Sequence, residues 1–285
     1  MEKISIILPT YNEEKTIEDT VQKIKQIIKE NKLNAQIVVV NDASTDNTKE
    51  ILNRIQAIKV MEHQINRGYG ASLKTGIKHT NTDWILITDA DGTYPIEDIP
   101  TLIEQINSAD MIVGARIKKG VKIPLTRRPA KKIIGTLANL LVGKKIPDIN
   151  SGFRIFKREV ALKFFHLFPD GFSFTTTITL AALTNNYKVK FVPIDYYQRQ
   201  GKSTVHPIKD FIGFLAIIIR IMVYFRPLKM FSILAGMLFL IGTTIFLYTF
   251  LVLNNIADIT VIVILLASLQ VFLSGMIAEI ITLQR

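Results

Sequence analysis

This 285-residue sequence predicts an α/β domain, a mostly parallel sheet covered by helices, followed by an α-helical hairpin of membrane-spanning length. Three observations lead there. Short β-branched runs alternate with amphipathic stretches through the first part of the chain. Polar and acidic residues gather where those runs end. Charge then almost vanishes, with Asp258 the one charged residue from Met230 to Ala278.

The opening run "ISIILP" reads as a strand. Its apolar part runs straight into Pro9 and is too short for a signal-peptide core, so the first domain is expected to stay in the cytoplasm. Between Glu14 and Lys29, Ile17, Val21, Ile24, Ile27 and Ile28 recur at helical spacing. "QIVVVN" is the second strand, and "STDNTKEILNRI" begins with capping residues ahead of a helix. "IKVMEH", "DWILITD" and "DMIVGA" are further strands, with Trp84 in the core. Apolar runs joined by helices imply strands covered on both faces, hence parallel pairing.

In open sheets of this kind the ligand lies at the carboxyl ends of the strands. The unusual residues fall there: Pro9 to Glu13 after the first strand, Asn41 and Asp42 after the second, Asp89 and Asp91 after "WILIT". Asp89 and Asp91 stand two apart and can face one ligand while Ala90 points elsewhere. Their hard oxygens suit Mg²⁺ or Mn²⁺. Taken alone, an Asp-Gly turn closing a strand reads the same way. His63, His79, His166 and His206 show no ligand spacing and are given no catalytic role.

Net charge is +11, and from Arg116 to Pro147 there are ten Lys or Arg and no acid. Such a block suits a phosphorylated ligand, an anionic lipid surface or nucleic acid, or is simply a solvated loop. The chain has no cysteine, which excludes disulfides and thiolate metal sites.

Met230–Leu253 gives 24 uncharged residues and Ile259–Ala278 another 20. About 20 helical residues cross a bilayer core. Arg226, Lys229 and Arg285 flank the outer ends, while the "NNIAD" link carries no Lys or Arg. The positive-inside rule then places both chain ends in the cytoplasm, in a two-helix cell-membrane protein. Residues 206–229 are apolar around a central Arg220 and read as an interfacial helix with the arginine snorkelling outward. The expected division is 1–205, 206–229, 230–253 and 259–278.

"ILPTYNEEKTI", "VVVNDASTDNT", "NRGYGASLKTGI", "TDADGTYPIEDIP", "IVGAR" and "DINSGFRIFKR" follow one another in the order found in family 2 glycosyltransferases. More narrowly, the chain resembles the dolichyl-phosphate mannose synthase and polyprenyl-phosphate glucosyltransferase group, over roughly residues 3–210. The resemblance implies a GT-A fold (Rossmann-like) and inverting transfer of a hexose. The donor would be a nucleotide-diphosphate sugar of GDP-mannose or UDP-glucose type, the acceptor a polyprenyl or dolichyl phosphate, and the cofactor Mg²⁺ or Mn²⁺.

By motif position it assigns the donor to Pro9, Tyr11, Glu13, Val40, Asp42, Asp89, Ala90, Asp91 and Thr93, and the metal to Asp89 and Asp91. Asn41 stands where the family often has a first Asp, which leaves Asp42 the base contact. Thr93 stands where mannose synthases usually carry Gln. Arg116, Arg127 or Arg128, Ser151 and Arg154 are assigned to the acceptor phosphate. "RQGKSTVHP" matches the family's R-x-x-G-x-S-K loop in part, giving Arg199 a diphosphate contact, Ser203 a place nearby and Lys202 the missing charge. A phosphate acceptor is already an anion, so the lack of a general-base motif agrees with this reading. Membrane lipid is an expected partner, nucleic acid is not, and a homo-oligomer is left open. Transfer to a hydroxyl of a glycolipid or polysaccharide, or a non-catalytic membrane scaffold, are the rivals; no Q/R-x-x-R-W processive motif is present.

Overall fold

The computed structural model describes residues 2–118, 128–171, 173–197, 207–253 and 259–284, without the side chains of 128–134, 207–212 and 214. Seven strands form one sheet: β1 (Ile4–Thr10), β2 (Ala35–Asn41), β3 (Lys59–Glu62), β4 (Trp84–Ile87), β5 (Met111–Ala115), β6 (Arg154–Lys157) and β7 (Val189–Pro193). Their order is β3-β2-β1-β4-β6-β5-β7. All pairings are parallel except those of β6, which runs antiparallel between β4 and β5. The expected mostly parallel sheet is therefore present. From β1 the chain winds one way through β2 and β3, then crosses to β4 on the other side. The crevice outside the carboxyl ends of β1 and β4 is the switch point, where this topology opens a ligand site.

Burial follows the pattern of the sequence. Every residue of β1 and β4 is buried, as continuous apolar runs demand. Helix α1 (Ile17–Glu30) buries Ile17, Val21 and Ile24 and packs Ile27 and Ile28 against the same core. Glu18 and Asp19 sit in its first turn and Lys29 in its last, each complementing the helix dipole. Helices α2 (Thr48–Arg54), α3 (Tyr69–Lys78) and α4 (Ile99–Ile103) connect the strands. Trp84 is core, as expected. Beyond them come α5 (Arg128–Val142), α6 (Arg158–Lys163) and α7 (Phe174–Thr184), the last buried almost throughout.

Helices α8 (Pro207–Phe225), α9 (Pro227–Leu251) and α10 (Ile259–Leu283) complete the chain. The molecule divides into two compact units, Met1–Ile217 and Ile218–Arg285. In the second, α9 and α10 pair as a hairpin, each long and apolar enough to cross a membrane. Small residues let their backbones approach: the Ser268 hydroxyl donates to the Ala235 carbonyl at 2.8 Å, and Gly242 and Gly275 lie against Leu265 and Phe231. Glu279 accepts a hydrogen bond from the Leu228 N–H at 3.1 Å, satisfying an open donor of α9's first turn. Helix α9 starts at Pro227, earlier than the expected 230, because proline is favoured in a first turn that needs no N–H. Helix α10 runs past the expected 278 to Leu283. The "NNIAD" link and Arg285 lie outside the described residues.

Candidate active site

The segments following β1 and β2 are tied together. Asn12, in a left-handed conformation (φ 55°), accepts from the Thr45 N–H at 2.7 Å and donates to its hydroxyl at 3.2 Å. The Thr48 hydroxyl takes the Glu13 N–H at 2.9 Å, and Asp46 takes the Glu14 N–H at 3.1 Å. Asn41 accepts from the Ser44 hydroxyl and N–H, folding the loop into an Asx turn. Tyr11 is the exposed aromatic of this cluster, while Glu13 is buried beside Thr16. Pro9 and Val40 are paired across β1 and β2, inside the sheet.

Asp42 carries the network onward. It is buried, and its carboxylate accepts the Arg67 and Gly68 N–H groups at 2.9 and 2.7 Å. His63 Nδ1 meets the same carboxylate at 2.6 Å and His63 Nε2 meets the Thr75 hydroxyl at 2.9 Å. Both Asp42 oxygens thus hold the loop that leads into α3, in addition to the base contact expected of it. His63, given no role from sequence, belongs to this network; nothing in its spacing announces a partner 21 residues away.

Asp89 and Asp91 follow β4. The Tyr69 hydroxyl donates to Asp89 Oδ1 at 3.0 Å. On the other side, a Cβ added at Gly152 would lie 2.9 and 3.0 Å from the two Asp89 oxygens. The carboxylate therefore fills the space that glycine leaves. Asp91 Oδ1 accepts the Thr93 N–H and hydroxyl at 3.1 and 2.7 Å. Thr93 is fully buried, which makes it the residue that orients Asp91. Ala90 is buried and its carbonyl takes the Thr20 hydroxyl at 3.4 Å. Among the described residues no group of three or more His, Cys, Asp or Glu is gathered. Two hard carboxylates from one turn fit Mg²⁺ or Mn²⁺ whose remaining ligands are substrate phosphate and water.

Gly152 links this pair to the arginine side. Its N–H donates to the Tyr94 hydroxyl at 2.7 Å; Tyr94 stacks on Phe153 and meets Tyr196 edge-on. Tyr196 in turn faces the Arg116 guanidinium, 5.1 Å from the ring centroid. Arg116 grips the buried Asp148 through Nε and Nη2 at 2.7 and 2.9 Å, a bidentate fork. Burial works against its charge, but Tyr94 and Asp148 outweigh burial and leave its pKa raised. Contacts thus run unbroken from the β1 and β2 loops through Asp42, Tyr69, Asp89, Gly152 and Tyr94 to Arg116.

Two residues expected at the acceptor phosphate are turned inward. Arg154 is 0% exposed, and its guanidinium donates to the carbonyls of Ile149, Ser151 and Thr175 and to the Thr179 hydroxyl. Burial lowers its pKa to about 10, still charged at neutral pH. Ser151 is equally buried, its hydroxyl accepting the Phe153 N–H at 3.3 Å. Both hold the 149–152 loop through these inward hydrogen bonds. Arg127, Arg199, Lys202 and Ser203 lie outside the described residues. Arg128 opens α5, and its side chain also lies outside them.

The sequence model of Glycosyl transferase family 2 matches residues 5–165, more than half of the chain. The chain belongs to glycosyl transferase family 2. The GtrB C-terminal hairpin matches residues 226–283, the α9–α10 pair. Among relatives of this family 2 glycosyltransferase, a dolichyl-phosphate hexose transferase of Haloferax volcanii is 30% identical over 72% of this chain and 87% of its own. A dolichol-phosphate mannosyltransferase of Pyrococcus furiosus is 32% identical over 70% of this chain. A low-salt glycan biosynthesis hexosyltransferase, Agl6, of H. volcanii is 29% identical over 73% of it. Of the last two relatives the match covers only 58% and 51%. Glucosyl-3-phosphoglycerate synthase of Mycobacterium tuberculosis, solved with UDP, superposes with a TM-score of 0.62 at 16% identity, covering 77% of this chain and 80% of that one. The same protein has been solved with Mn²⁺ and UDP, with a TM-score of 0.57 at 17% identity over 78% of each chain. These likenesses establish the expected GT-A fold.

Proposed function

We propose that this family 2 glycosyltransferase moves a hexose from a nucleoside-diphosphate sugar to a polyprenyl or dolichyl phosphate, inverting the anomeric centre. The observation that carries the proposal is the unbroken run of contacts joining the β1–β2 loops, the Asp89–Asp91 turn and Arg116. In this reading the β1–β2 loops take base and ribose, the Asp89–Asp91 turn the diphosphate, and Arg116 the anionic acceptor. The names of the relatives from H. volcanii and P. furiosus support the acceptor class.

In this reading the acceptor phosphate oxygen attacks the anomeric carbon as the bond from that carbon to the diphosphate oxygen breaks. A phosphate monoester has its second pKa near 6, so about neutral pH no proton needs to be removed. Asp89 and Asp91 would hold Mg²⁺ or Mn²⁺, and such an ion would supply positive charge against the diphosphate. Arg116, kept flat by Asp148 and Tyr196, meets acceptor phosphate with the edge of its guanidinium that Asp148 leaves. Arg128, Arg127, Arg199, Lys202 and Ser203 remain proposed contacts. The α9–α10 hairpin spans the membrane with both ends cytoplasmic, and α8 lies at the interface with Arg220 directed to the headgroups.

The test is to offer the purified full chain a short polyprenyl phosphate and the matching polyprenol in parallel. Glycosylation of the phosphate alone is expected. Equal or better use of the alcohol would move the chain to the hydroxyl-acceptor class and require a general base.

A further inference from the structure

The loop from His63 to Tyr69 carries none of the site residues expected from the strand ends, yet it ends on Asp89. Tyr69 is the first residue of α3, and that helix end is fixed from two sides. On one, Asp42 binds the N–H groups of the two residues before Tyr69, and His63 braces Asp42 against Thr75 further along the same helix. On the other, the Asp170 carbonyl takes the Ala71 N–H at 3.0 Å and the Asp170 carboxylate pairs with Lys74. A Cβ at Gly70 would run into the Pro169 carbonyl, so helix and loop are in direct backbone contact. The Tyr69 hydroxyl is thereby aimed at Asp89 Oδ1, 3.0 Å away.

We propose that Tyr69 is a positioning residue for Asp89: it sets the rotation of the carboxylate against Gly152, and through Asp42 it couples the β2 loop to the metal-binding turn. This rests on the reading of Asp89 and Asp91 as the metal-binding pair. A partner that orients a metal-ligating carboxylate is worth about 10- to 100-fold in metal affinity.

The experiment is a Mn²⁺ titration of the full chain in detergent, followed by the EPR signal of free Mn²⁺, with UDP and with GDP in separate arms. Wild type, Tyr69→Phe and Asp91→Ala are compared. Tyr69→Phe keeps the ring and is expected to melt at the wild-type temperature, yet bind Mn²⁺ on the order of tenfold more weakly. In turnover its Mn²⁺ half-saturation should rise by a similar factor while kcat recovers at saturating Mn²⁺. A merely structural tyrosine would not give that split. Binding by Tyr69→Phe within twofold of wild type, with Asp91→Ala abolishing it, overturns the role of Tyr69 alone. Unchanged binding in Asp91→Ala as well overturns the metal reading beneath it.

Discussion

Replacing Gly152 by alanine separates folding from chemistry in this site. The added Cβ would stand 2.9 and 3.0 Å from the Asp89 oxygens and 3.0 Å from the Tyr69 hydroxyl, where ordinary contact begins at 3.4 Å. All three neighbours are ends of side chains and can withdraw, so the fold loses little. Asp89, however, must retreat by about 0.5 Å, the tolerance within which a catalytic group has to be held. Since a 1 Å misplacement costs about 10²-fold in rate, a fall in kcat/KM of roughly tenfold is expected. The melting temperature should change by no more than about 3 °C, equivalent to about 1 kcal/mol in a chain of this size. Initial rates and thermal melts on the same preparation make the comparison. Gly152→Ala with kcat/KM within twofold of wild type would refute the tight seat inferred for Asp89.

Arg154→Leu removes the guanidinium donors from the buried Ser151 carbonyl, while the Thr175 and Ile149 carbonyls keep the Thr179 hydroxyl; an unpaired buried acceptor costs about 1–3 kcal/mol, so a loss of at least about 1 kcal/mol in a denaturant titration is expected. Unchanged stability with a raised KM for the lipid acceptor would instead return Arg154 to the phosphate. At Asp110, burial works against the carboxylate, but hydrogen bonds from Lys157 and the Lys188 N–H outweigh it and hold its pKa below the ordinary value. A lowered carboxyl contributes its stability in full above the unfolded pKa of about 3.9 and loses it as pH falls through the folded value. Melts of Asp110→Asn against wild type should show a steady deficit above about pH 5 that closes below about pH 4; a deficit growing toward acid would contradict the sign.

Much of the fold was legible because its signals are local. Continuous apolar runs mark β1 and β2, a period of 3.6 marks α1, and the lack of charge marks α9 and α10. Strand β6 was harder. "INSGFR" fits a glycine turn before a strand, but nothing local says that the strand inserts antiparallel between β4 and β5. Strand β7 is only half-buried at the sheet edge and carries a weaker pattern. In the site, the position of Asp89, Asp91 and Arg116 just past their strands was readable from motif and strand end. The backbone hydrogen bonds of Asp42 and Arg154 were not, because burial decides whether a charged group meets solvent or its own backbone. His63, Tyr69, Tyr94 and Asp148 act through partners 20 to 58 residues away, a distance no spacing rule spans.

The central claim is transfer of a sugar to a lipid phosphate at the Asp89–Asp91 turn. Its most direct measurement is radiolabel carried from GDP-mannose or UDP-glucose into the organic phase by the purified chain with a polyprenyl phosphate. Labelled lipid is expected with one of these donors, lost on adding EDTA, restored by Mn²⁺ or Mg²⁺, and absent in Asp91→Ala. No labelled lipid from either donor, or transfer that survives both EDTA and Asp91→Ala, would contradict it.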